Sequence, residues 1–141
     1  MNQKQHWTMS LWLRIQEPRI VTMTQTVIYL LCFTGGAVTI LDPPRSIEAQ
    51  FATAFVYAWG VFALIGGAMG AYAAPTGKWL IEKPAIIACS TAILMYAGIL
   101  LTLQLTTPGN RVVQLVFVSI GLLHFVARYW RIKPYSYEPG T

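Results

Sequence analysis

Of 141 residues, 55% are apolar and only 11% charged, whereas a soluble domain is normally about a quarter charged. Mean hydropathy is positive, at +0.52, so much of the surface is expected to face lipid. The net charge of +5 does not point to nucleic acid, because the basic residues flank apolar runs instead of lining one soluble face.

The chain opens on an arm in which Trp7, Met9, Leu11, Trp12, Leu13 and Ile15 mix with Lys4, His6 and Arg14. That composition predicts a short N-terminal interfacial helix lying on headgroups. The first long apolar run ends in Thr-Ile-Leu-Asp-Pro-Pro without a small-x-small cleavage site, so it is expected to be retained and not removed as a signal peptide.

Four stretches carry no formal charge: residues 20–41, 50–77, 84–110 and 112–127. A hydrocarbon core of ~30 Å needs about 20 helical residues. The fourth run has 16, and it spans if Arg128 lays its stem along the helix and reaches the interface. Backbone in lipid must satisfy itself internally, and none of the runs alternates like a barrel strand, so the spans are helices. The predicted spans are 20–41, 51–74, 84–105 and 112–130. Pro43-Pro44, Pro75 with Gly77, and Pro108-Gly109 punctuate them, and Pro84 is expected at the start of the third helix. The loops are short. The fold class is therefore all-α, an antiparallel four-helix transmembrane bundle forming a single domain.

Lys4, Arg14, Arg19, Lys78, Lys83, Arg128, Arg131 and Lys133 lie on one side of that arrangement, and Arg45 and Arg111 on the other. The bias predicts a multi-pass protein of the cytoplasmic membrane with both termini in the cytoplasm. Trp79, Tyr129 and Trp130 stand at the expected interfacial belt.

Within the second span, Gly66 and Gly70 form one small-xxx-small pair, and Ala63, Gly67 and Ala71 form a parallel series, with Gly60 above them. Such spacing allows close helix approach, either inside one bundle or between copies. On the fourth span, Gln114, Gly121, His124 and Arg128 fall on one face. That polar stripe would face a protein interior or a water path. His124 has no second histidine in the spans to complete a metal or haem site, and a bond to a neighbouring helix is expected instead. Glu82 and Arg128 sit at facing ends of consecutive antiparallel helices, which predicts an interfacial ion pair worth little, ~0–1 kcal/mol if exposed. Cys32 and Cys89 lack metal or redox spacing and are read as small packing residues. The spans hold no embedded Asp, Glu, Lys or Arg away from their ends, and the chain carries no nucleophile–base pair, HExxH or phosphate loop. No enzyme and no cofactor is expected. The expected partners are the lipid bilayer, further copies of the chain or another membrane protein.

Ala58-Trp59-Gly60, Gly66-Gly67, Ile81-Glu82-Lys83-Pro84, Tyr96, and Arg128 followed by Arg131-Ile132 together resemble small four-span membrane proteins encoded by tailed phages of actinobacteria. The resemblance implies a viral or prophage origin and favours a role in lysis. Two function classes follow. One is a holin-like protein that oligomerises and permeabilises the membrane; Met1 and Met9, bracketing Lys4, would give it two starts of different charge. The other is a non-catalytic accessory or scaffold subunit that binds another membrane protein.

Overall fold

The computed structural model describes residues 19–43 and 53–133. Among these, four helices and no strand are present: α1 (Arg19–Leu41), α2 (Thr53–Thr76), α3 (Trp79–Thr106) and α4 (Val112–Ile132). All four are long and apolar enough to cross a membrane. The interfacial arm expected around residues 4–15, and Arg45 with its loop, lie outside the described residues.

The helices pack in chain order, α1 on α2, α2 on α3, α3 on α4. Each pair is antiparallel. Gly36 lies against Gly60 and Leu64, whereas Gly67 lies against Phe33. Trp59 stacks on Tyr96, with ring centroids 4.9 Å apart and planes 15° from parallel, while Gly66 meets Cys89. Gly121 faces Ile93, and Arg128 reaches Glu82. The α2–α3 turn therefore shares an end of the bundle with the start of α1 and the finish of α4. Lys78, Lys83, Arg128, Arg131 and Lys133 gather there, and it is called the basic end below.

The α2–α3 turn is tight because α2 stops on Gly77, at φ +70°. Its N–H donates to the Ala74 carbonyl and that of Lys78 to the Ala73 carbonyl, the bonding of a glycine-terminated helix. α3 then starts at Trp79, five residues before Pro84. This corrects the expectation that Pro84 opens the helix. The Gly77 turn lets Ile81 and Glu82 donate to the Lys78 carbonyl, so a first turn forms ahead of the proline. Pro84 forfeits only the bond to the Leu80 carbonyl, and the early start places Glu82 in the helix and not on the loop. At the other end, Gln104 Oε1 accepts from the Arg111 N–H at 2.6 Å and Asn110 Oδ1 from that of Val112 at 3.0 Å. These two side chains satisfy donors that a helix start leaves open.

Seven threonine and serine hydroxyls inside the spans find partners within their own helix. Thr24, Thr26, Thr34, Thr39, Thr91, Thr102 and Ser119 each donate to the carbonyl four residues earlier. In lipid this avoids the penalty of an unpaired polar group.

Candidate functional site: a polar cluster at the basic end of the bundle

Tyr29 is the hub. It is fully buried in α1 and touches all three other helices. Its ring lies over Gly70 of α2, where any Cβ would collide with it. It packs against Phe125 of α4 at a centroid distance of 5.6 Å. Its hydroxyl donates to Glu82 Oε1 of α3 at 3.3 Å. Gly70 is thus explained by the ring it accommodates.

Glu82 has no exposed surface. Arg128 grips it with a fork, Nε to Oε1 at 2.7 Å and Nη2 to Oε2 at 2.9 Å. The expectation of an exposed, weak pair is corrected here: α3 begins earlier than predicted and carries the carboxylate inside. The bidentate geometry and the tyrosine hydroxyl satisfy the carboxylate where water cannot.

One turn before Arg128, His124 Nε2 lies 2.7 Å from Gln25 Oε1, tying α4 to α1. Gln25 is only 2% exposed. Losing His124 would strand a buried amide carbonyl. His124→Leu is therefore expected to destabilise the protein by about 1–3 kcal/mol, and adding Gln25→Leu should recover part of that loss. Chemical unfolding of both variants in mixed micelles, followed by circular dichroism, measures the difference.

The remaining predicted residues divide. Gly121 borders an apolar cavity of about 340 Å3 in mid-bundle, together with Cys32, Gly36, Ala63, Ile93 and Phe117. Gln114 is exposed near the opposite end of α4 and does not join the cluster. The stripe of four is thus two inward residues, one cavity glycine and one outlier. On α2, Gly60 and Gly67 face α1, as Gly70 does, but Gly66 faces Cys89 and Ala85 of α3. The four-residue spacing of Gly66 and Gly70 does not give them one partner, because α2 is wedged between two helices. Ala63 is buried and Ala71 is half-buried against the core.

Sequence reasoning missed Gln25, Tyr29 and Gly36. The first two stand one turn apart in a charge-free run, and each supplies the partner that His124 or Glu82 needs. Gly36 sits so close to the α2 backbone that a Cβ would come within 2.7 Å of the Gly60 carbonyl oxygen.

Chemically, the cluster is a set of polar contacts that tie α1, α3 and α4 together, with the Tyr29 ring seated on Gly70 of α2. Compared with known protein families, curated proteins and solved structures, the chain matches none.

Proposed function

We propose that this chain is a non-enzymatic, multi-pass protein of the cytoplasmic membrane that serves as an accessory or scaffold subunit for another membrane protein. The observation that carries this reading is the use of the small residues. Gly60, Gly67 and Gly70 are covered by α1 and Gly66 by α3 of the same chain, so the close-packing face that self-assembly would need is occupied. α4 remains open to a neighbour. Val113, Ile120 and Leu123 all point outward, and an apolar helix face in lipid associates by packing with another helix.

A holin-like role, which the phage resemblance favours, needs polar groups turned toward a water path between copies. His124 and Arg128 are turned instead onto Gln25 and Glu82, which speaks for the accessory reading. Controlled expression with membrane-potential and growth readouts separates the two. The accessory reading expects the potential to hold and growth to continue. Abrupt, timed collapse followed by lysis would overturn it.

Both termini are proposed to lie in the cytoplasm, on the strength of the basic asymmetry. A periplasm-active reporter fused to the carboxyl end should be silent, and one inserted near Arg45 active. The opposite pattern would reverse the orientation.

A further inference from the structure

A second cleft, of about 250 Å3, opens at the basic end between α1 and α4. Val21 and Gln25 form one wall; His124, Ala127, Arg128 and Arg131 form the other. Three observations make it more than a surface dent. Gln25 is almost wholly buried, yet its Nε2 finds no partner among the described residues. Arg128 spends Nε and Nη2 on Glu82, which leaves the donors of Nη1 for another acceptor. Arg131 is exposed at the rim and makes no hydrogen bond or ion pair among the described residues.

The walls carry donors, and the Gln25 carbonyl is already bonded to His124, so the cleft suits an anion. Glu82 and Arg128 cancel, leaving Arg131 as the uncompensated charge in the wall. That balance matches a singly charged phosphodiester better than a carboxylate-rich or multiply charged ligand. The apolar cavity lies along the same helices. Cys32 is seven residues beyond Gln25 on α1, and Phe117 seven before His124 on α4, about 10 Å deeper at the helical rise of 1.5 Å per residue. Polar cleft and apolar cavity therefore lie at successive depths, sharing walls on α1 and α4 with α2 and α3 closing the far side of the cavity, in the order of a lipid headgroup and its chain.

We propose that this cleft and cavity together bind one anionic phospholipid. Its phosphodiester is held by Arg131, Arg128 Nη1 and the Gln25 amide, and one acyl chain occupies the apolar cavity. The bound lipid would give a partner protein a lipid-completed surface.

The test is native mass spectrometry of the full chain in detergent micelles, titrated with phosphatidylglycerol or phosphatidylcholine. One phosphatidylglycerol per chain should bind in preference to phosphatidylcholine. Arg131→Gln should weaken phosphatidylglycerol about fivefold, as expected for one basic residue at a membrane surface, and leave phosphatidylcholine unchanged. Arg131→Lys should retain most of the affinity. Lys78→Gln removes a charge at the same end but outside the cleft, and should change nothing. Gly121→Leu intrudes on the cavity where an added Cβ meets nothing nearer than Ile93 Cδ1 at 3.9 Å. It should weaken long-chain phosphatidylglycerol but not a short-chain analogue. Equal binding of the two lipids, or equal losses from Lys78→Gln and Arg131→Gln, would overturn the proposal. So would displacement of the lipid by an equal concentration of glycerol phosphate, which would make free phosphate the ligand.

Discussion

Arg128→Leu is expected to destabilise the bundle by about 3–5 kcal/mol, the range for breaking a buried ion pair from one side. The size follows from burial. Glu82 has no exposed surface, so removing the guanidinium leaves a carboxylate with only the Tyr29 hydroxyl as a partner. An exposed pair at a helix end would lose ~0–1 kcal/mol, which makes the measurement decisive about where Glu82 sits. Glu82→Leu should be damaging as well, because it strands Arg128. The double variant Glu82→Leu/Arg128→Leu should recover a substantial part of the loss, since paired apolar replacement of a buried ion pair is often neutral. A double-mutant cycle in mixed micelles reads the coupling. Single variants that each cost less than about 1 kcal/mol would place the pair in the solvent-screened class instead.

Gly67→Ala is the second large effect. A Cβ there would lie 2.7 Å from both the Phe33 Cα and the Tyr29 carbonyl oxygen. Both are backbone atoms of α1, so no rotamer change relieves the clash and the helices must separate. Overpacking typically costs about 1–3 kcal/mol and sometimes more, and Gly67→Leu should exceed Gly67→Ala. Gly98→Ala gives the contrast. Nothing lies within 4 Å of a Cβ at Gly98, and alanine favours a helix over glycine by about 1 kcal/mol, so this variant should be neutral or stabilised. Val61→Leu and Phe62→Leu, both at outward positions, should also do little. Thermal unfolding in a fixed detergent compares all four positions. Equal effects at Gly67 and Gly98 would remove the close-packing account. The contacts lie within one chain, so the loss should appear as lower monomer stability, not as loss of larger species.

The number and position of the helices were legible because charge-free runs longer than a bilayer's needs have few alternatives. The meeting of Glu82 and Arg128 was legible from chain order alone, since consecutive antiparallel helices bring those ends together. Its depth was not. That depends on α3 beginning at Trp79, and a proline five residues in argued for a later start. The rest of the cluster was hidden for a geometric reason. α1 and α4 are the first and last of the described helices, and no short loop fixes their relative rotation. Pairing Gln25 with His124 therefore needs the packed bundle. The glycines told a similar half-story. Spacing marked α2 as a close-packing helix, but which glycine meets which neighbour follows from α2 lying between α1 and α3. Gly36, which completes the α1–α2 contact, was visible only as half of a Gly-Gly pair in a run that offered no other cue.

Two features join in the functional reading: the internal contacts of one chain close the glycine faces of α2, and His124 and Arg128 of α4 point inward. On the proposed reading, both make the protein a self-sufficient bundle that would meet a partner through its apolar flank. Counting subunits tests this most directly. The chain carries a single fluorophore, is extracted from membranes into native nanodiscs at low expression, and is bleached one molecule at a time. The account predicts one bleaching step in most particles, with a separate membrane protein of fixed stoichiometry in the same discs. Particles holding many copies of the chain and no other protein would contradict it, and would return the holin-like reading to first place.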